Sequence, residues 1–279
     1  MKVLVTGANG QLGYDVIKVL QSRKINCLGV DIQSFDITDP SATNRFILSY
    51  GPDAVIHCAA YTAVDKAEEE PERCHAINVT GTENVANTCR KAGAKLMYIS
   101  TDYVFPGMGD APYEIDSPTG PLSVYGRTKL AGEHVVQRLV EKHFIVRISW
   151  VFGKNGNNFV KTMLKLGKER KELNVVFDQI GSPTYTADLA PVLCDMLITD
   201  KYGVYHATNE GYCSWAEFAR EIFILAEDDV QVNSIPTEQY PTKAKRPFNS
   251  RLSKSSLDQA GFKRLPDWKD ALKQYLKAD

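Results

Sequence analysis

Short, unbroken apolar blocks alternate with amphipathic stretches through the first half of the chain. The blocks fall near 2–6, 26–30, 54–58, 94–101 and 143–149, and each is bounded by polar or glycine-containing turns. Unbroken apolar runs of this length predict strands buried on both faces, as in a parallel sheet. Between them, apolar positions recur at helical spacing near 11–23, 40–50, 65–92 and 121–142, the third stretch interrupted around Pro71. This strand–helix rhythm predicts an α/β fold: a doubly wound parallel sheet with right-handed crossovers.

The second half is less regular. Residues 158–170 read as a helix, 173–177 and 203–207 as strands, and Ser214 to Ala226 as a helix with Ser214 as N-cap and Glu217 at the capping-box position. Residues 235–249 are proline-rich and basic, with Lys243, Lys245 and Arg246. A length of 279 residues suits one large or two unequal domains. We expect a first domain over 1–150, rejoined by elements near 184–208, and a smaller α/β domain over 151–279.

The turn after the first strand reads Thr6-Gly7-Ala8-Asn9-Gly10-Gln11-Leu12-Gly13. Gly7 permits a tight turn, Gly10 lets backbone approach a pyrophosphate, and Gly13 allows the helix to pack against the strand. The helix N-terminus then faces the phosphates. Asp31 follows the second strand, where a carboxylate hydrogen-bonds an adenosine ribose and disfavours a 2′-phosphate. Asp36 and Ile37 lie close behind and are candidate adenine contacts. Together these positions predict a Rossmann-type dinucleotide-binding domain.

Tyr125 and Lys129 stand one helical turn apart, so both face one volume. A fixed ammonium about 4 Å from a phenol, at an effective dielectric near 20, favours phenolate by about 4 kcal/mol. That predicts a phenol brought near neutrality, suited to general acid catalysis. Thr101 ends the preceding strand at its carboxyl end, where open parallel sheets bind ligands. A second pair at the same spacing, Tyr14/Lys18, falls on the first helix and reads as surface. His57, after the third strand, reads as structural, and Glu68-Glu69-Glu70 as a solvated helix face.

A formal net charge of −1 offers no electrostatic footprint for nucleic acid or an anionic membrane. No stretch reaches the length of a membrane span, and the chain enters its first strand directly, so we expect no signal peptide. Six cysteines without Cys-x-x-Cys spacing read as reduced thiols of a cytoplasmic protein. The histidines show no metal-binding pattern, and no metal is expected.

The glycine pattern, Cys58-Ala59-Ala60, Ser100-Thr101 and the Tyr125/Lys129 pair resemble the extended short-chain dehydrogenase/reductase family over essentially the whole chain. Narrower segments resemble members that reduce a 4-keto dTDP-sugar: Tyr61 to Glu68, Ser100 to Phe105, Tyr125 to Glu133, Arg147 to Gly153, Asp178 to Thr184, and Arg246-Pro247. The resemblance implies Tyr125 as proton donor, Lys129 as its tuner and Thr101 at the carbonyl. It implies Gly10, Gln11, Leu12, Asp31, Asp36, Ile37, Ala60, Tyr61 and Thr62 at the cofactor, with Tyr125 and Lys129 beside it. Asp102 and Trp150 would contact the sugar, whose apolar ring face Trp150 could stack on. Arg246 is the candidate for the diphosphate, which favours arginine. The resemblance implies NADPH, with NADH also accepted, whereas Asp31 by itself argues for NADH. The partner would be a dTDP-sugar, and the protein a monomer or homodimer. Two other readings stay open: a sugar-nucleotide epimerase or dehydratase of the same superfamily, and a non-enzymatic regulatory subunit of a methionine adenosyltransferase. The dehydratases add an acidic residue after the Thr-Asp pair; here that place holds Tyr103.

Overall fold

In the computed structural model, which describes residues 1–277, six strands pair in parallel into one sheet. They are β1 (Lys2–Thr6), β2 (Asn26–Val30), β3 (Ala54–His57), β4 (Lys95–Thr101), β5 (His143–Ile148) and the strand Gly203–His206. Their spatial order is β2-β1-β3-β4-β5 and then Gly203–His206, so the expected late strand does rejoin the sheet. The order reverses between β1 and β3, and this switch point opens a crevice at the carboxyl ends of the strands.

Alternate strand residues feed two cores, as the two-residue period of a strand requires. Val3, Val5, Ile56, Met97 and Phe144 meet Leu12, Val16 and Leu20 of α1 (Gln11–Ser22). Leu4, Val55, Leu96, Tyr98 and Ile145 face the other way, toward Ile47 of α2 (Pro40–Tyr50). The expected third helix is a series: α3 (Val64–Ala67), α4 (Pro71–His75), a π-helical turn over Ala76–Gly81, and α5 (Thr82–Ala92). The chain breaks before Pro71, whose ring restricts the residue before it and supplies no N–H to a preceding turn. Helix α6 (Val124–Leu139) starts three residues later than expected, because the Ser123 hydroxyl accepts the Gly126 N–H at 3.1 Å and caps it.

A third core gathers Phe152, Val160, Met163, Phe218, Phe223, Trp268 and Tyr275. It joins α7 (Phe159–Glu169), α9 (Trp215–Ala226) and α10 (Trp268–Lys277) to the paired strands Glu172–Val176 and Gln231–Ile235. Ser214 and Glu217 form the expected capping box. Helix α8 (Thr186–Leu197) returns to the first core beside α1, its Leu189, Leu193 and Leu197 fully buried there. Among the described residues no helix is long and apolar enough to cross a membrane, and no group of three His, Cys, Asp or Glu is placed to hold a metal. All six cysteines are free thiols.

Candidate active site

A cleft of about 990 Å³ runs along the carboxyl ends of β1, β3, β4 and β5. At one end lies the glycine turn. Gly7 adopts φ +68°, and a Cβ there would sit 2.6 Å from the Ala59 nitrogen; one on Gly13 would sit 2.2 Å from the Gly7 carbonyl oxygen. Neither position has room for a side chain. No side chain caps the N-terminus of α1, so its first N–H groups face the cleft, which Gly7, Gly10, Gln11, Leu12 and Gly13 line. Such a cradle fits a dinucleotide pyrophosphate.

Asp31 lines the same end. Its Oδ2 accepts the Asn9 N–H at 3.1 Å and its Oδ1 the Ile32 N–H at 2.9 Å, which holds the carboxylate against the glycine turn. Asp36, Ile37, Ala60 and Thr62 also line the cleft. Tyr61 does not. Its ring packs with Ala67 and Cys74, and its hydroxyl donates to Glu70 Oε2 at 3.2 Å. The sequence brought Tyr61 to the cofactor by adjacency, but alternate residues of this segment point to opposite sides.

His57 is structural, as expected. Its ring joins Thr6 Oγ1 at 2.7 Å and Thr82 Oγ1 at 3.2 Å, and burial, reinforced by the Lys129 charge, depresses its pKa to about 3. The Thr6 hydroxyl also accepts the Ala59 N–H at 3.3 Å, so this network fixes the floor of the switch point. Tyr14 is exposed with Lys18 beside its ring, an ordinary surface pair.

At the other end stand Thr101, Asp102, Tyr103, Tyr125, Lys129, Ser149 and Trp150. The electrostatics differ from the expectation. Burial pushes the Tyr125 phenol above its ordinary value, and the nearby Thr101 hydroxyl opposes this only in part. Burial likewise lowers Lys129 to about 7, opposed by the charge of Glu133. The Lys129 ammonium donates to the Ile99 carbonyl at 2.7 Å and lies 3.9 Å from the Tyr98 ring centroid. Helical spacing does place the two groups on one face, but their desolvation favours the neutral form of both.

Behind them lies a constellation that the sequence reading missed. Glu133, one turn beyond Lys129, accepts Arg147 Nε at 2.9 Å and Nη2 at 2.7 Å, and the Ser100 hydroxyl at 2.5 Å. This buried fork ties α6 to β4 and β5. Nothing in the sequence spacing pairs residues 133 and 147; two charges within apolar, sheet-facing runs were the only signal.

Trp150 has φ +48° and stacks on Trp215, with ring centroids 3.6 Å apart. It therefore packs and lines the cleft at once. Arg246 does not line the cleft. Its Nη1 donates to the Tyr103 hydroxyl at 3.0 Å and its Nη2 pairs with Asp65, while the Ala244 N–H bonds Asp65 Oδ1 at 3.0 Å. Asp65 had no part in the expected site, and its engagement of Arg246 is what removes that guanidinium from the wall. Arg73 and Asn157, also unanticipated, add a cation and an amide to the lining.

The family model described as "RmlD substrate binding domain" matches residues 1–279. The chain belongs to this family. Among RmlD-type relatives it is 40% identical to the dTDP-4-dehydrorhamnose reductase of Escherichia coli (strain K12), over 99% of this chain and 97% of that one. Two solved structures named as dTDP-4-dehydrorhamnose reductases share 45% identity with it. That from Clostridium acetobutylicum has a TM-score of 0.97, covering 99% of this chain and 98% of its own. That from Bacillus anthracis, in complex with NADP, has a TM-score of 0.96 and covers 99% of both chains. The overall fold is thus shared with solved relatives that differ from this chain at more than half of their positions.

Proposed function

We propose that this protein is a dTDP-4-dehydrorhamnose reductase, which uses NADPH to reduce the C4 ketone of dTDP-4-dehydro-L-rhamnose to the alcohol of dTDP-L-rhamnose. The carrying observation is one continuous cleft with a dinucleotide cradle at one end and Thr101, Tyr125 and Lys129 at the other. Full-length similarity to reductases, one of them solved with NADP, supplies the substrate and cofactor.

The glycine turn and the open N-terminus of α1 would hold the pyrophosphate, with Asp31, Asp36 and Ile37 around the adenosine. The bound nicotinamide supplies the hydride. Thr101 orients the ketone, and Tyr125 gives its proton to the ketone oxygen as charge develops there. Lys129 binds the ribose; protonated, it also steadies the phenolate that Tyr125 leaves behind. Trp150, held by Trp215, offers a flat apolar surface to the sugar ring. Asp102 flanks the sugar site, and Arg246 acts through Tyr103 unless the diphosphate draws it from Asp65.

The test is consumption of reduced cofactor on mixing the pure protein with dTDP-4-dehydro-L-rhamnose, with NADPH and NADH in parallel. Stoichiometric oxidation with dTDP-L-rhamnose formed is expected, faster with NADPH. Oxidation of neither, by folded protein that binds cofactor, refutes the reading. Asp31→Ala should widen any NADPH preference by relieving repulsion of the 2′-phosphate.

A further inference from the structure

Once Tyr125 has given up its proton, a phenolate remains in a desolvated site that already opposes its charge. The enzyme must replace that proton before the next turnover. The Lys129 ammonium is engaged with the Ile99 carbonyl and the Tyr98 ring. Thr101 lines the cleft beside the phenol and is the hydroxyl that most favours its charged form. Its hydroxyl accepts the Tyr103 N–H at 3.2 Å and donates to Asp102 Oδ1 at 3.1 Å.

Asp102 is only 3% exposed, yet its second oxygen, Oδ2, has no hydrogen-bond partner. From the strand Asn249–Ser250, the Ser250 hydroxyl faces the same carboxyl and is itself unpartnered. The other titratable groups beside it are Tyr103, next in sequence, and Tyr125 from α6. Arg246 stops at the Tyr103 hydroxyl, and among the described residues no ion pair reaches Asp102. An ionised carboxylate buried with one oxygen unsatisfied and no cation is a costly structural element. A carboxyl that takes and releases a proton fits the same surroundings, and burial raises this one to about 6.

We infer that Asp102 is the proton reservoir of Tyr125, recharging the phenol through the Thr101 hydroxyl after each hydride transfer. The Tyr125 O–H bond breaks and its proton joins the substrate oxygen, which has gained the electron pair of the ketone. With Asp102 protonated, the Thr101 hydroxyl turns from Asp102 Oδ1 to the phenolate, and its O–H proton passes to the Tyr125 oxygen. The Asp102 carboxyl proton passes to the Thr101 oxygen, leaving a carboxylate. Water entering the cleft after product release returns the proton to Asp102, which lines the wall. Hydride and proton balance over the cycle, and no further reactant is needed.

The inference rests on the reductase reading, and the experiment separates the two. Full-length wild type and Asp102→Asn, preloaded with NADPH, are mixed with dTDP-4-dehydro-L-rhamnose in a stopped-flow fluorimeter. Asp102→Asn is expected to slow the later turnovers about 10²-fold more than the first equivalent of NADPH oxidised, because Tyr125 starts protonated. Wild-type kcat is expected to fall as pH rises above the Asp102 range, and the variant to lose that limb. If Asp102→Asn folds poorly, Thr101→Val should slow the later turnovers more than the first, and Thr101→Ser, which keeps the hydroxyl, should not show that split. Equal slowing of the first and later turnovers would mark Asp102 as merely structural, and unchanged steady turnover would remove it from the proton path; either overturns the inference. An inactive wild type would overturn the reductase reading first.

Discussion

Replacing Asp102 by Asn should make the protein more stable, and more so at higher pH. The folded protein holds this carboxyl at about 6 against an ordinary 3.8, with burial as the leading cause and the Ser250 and Thr101 hydroxyls only partly opposing it. A group whose folded pKa is raised contributes stability that is fully present below its unfolded pKa and is lost as pH rises through its folded pKa. A pKa difference of one between folded and unfolded chains corresponds to about 1.4 kcal/mol. The wild type therefore forgoes about 3 kcal/mol at pH 8, of which roughly half is lost between pH 5 and pH 8. Asparagine carries no such titration. Its amide makes new hydrogen bonds, but their contribution does not change with pH. The assay is urea unfolding of both proteins at pH 5 and pH 8, followed by circular dichroism. The stability difference should move by about 1.4 kcal/mol in favour of Asp102→Asn at the higher pH. In a chain of this size that is a shift of roughly 3–5 °C in Tm. A difference that stays constant within about 0.3 kcal/mol would mean that Asp102 titrates normally, and a proton reservoir there would lose its thermodynamic basis.

Tyr125→Phe should remove most turnover, by about 10²-fold or more, while NADPH still binds; near-wild-type kcat in the cofactor assay would exclude Tyr125 as the acid. Gly13→Ala should abolish cofactor binding or weaken it severely, because the added Cβ would meet the Gly7 carbonyl at 2.2 Å; fluorescence titration with NADPH measures it. Glu133→Gln should cost about 3–5 kcal/mol of stability by leaving the Arg147 guanidinium buried without its counter-charge. The Glu133→Leu/Arg147→Met double variant should recover much of that loss in thermal melts, and additive losses would show that the pair is not a unit. His57 and His206 are each held near 3, so the unfolded chain binds more protons below the ordinary 6.5. Stability should fall by up to about 1.4 kcal/mol per pH unit for each of them as pH drops from about 6 to 4, and unfolding curves across that range would show it.

The sheet was readable in the sequence because its determinants are local. The central strands are short, mostly apolar runs, the edge strand β2 being largely exposed, and each flanking helix carries its own period. The glycine turn was readable in part for a similar reason: Gly13 answers to the backbone of Gly7 and Ala8, and Gly7 to its own positive φ, although the backbone that crowds Gly7 is that of Cys58 and Ala59. Tyr125 and Lys129 share one helix, so their common face followed from the helical repeat alone. Where an expectation missed by a few residues, as at the start of α6, a local cap at Ser123 decided the boundary.

What stayed hidden depends on parts of the chain that meet only in the fold. Asp65 and Arg246 are 181 residues apart, and their pairing turns an expected diphosphate ligand into a brace for Tyr103. Glu133 reaches Arg147 and Ser100 across three elements. Ser250 comes from near the end of the chain to face Asp102. The reversal at Tyr125, whose pKa rises where a fall was expected, has the same origin. Sequence spacing reports which charges are near each other, but a pKa also depends on how much water the surrounding elements remove, and the strand, helix and loops that enclose Tyr125 span residues from Thr101 to Trp150. The desolvation that raises the phenol makes it a weaker acid. It also makes the phenolate that follows proton transfer unstable enough to demand rapid recharging, and Thr101 and Asp102, hydrogen-bonded to each other beside the phenol, are the groups through which that proton can come.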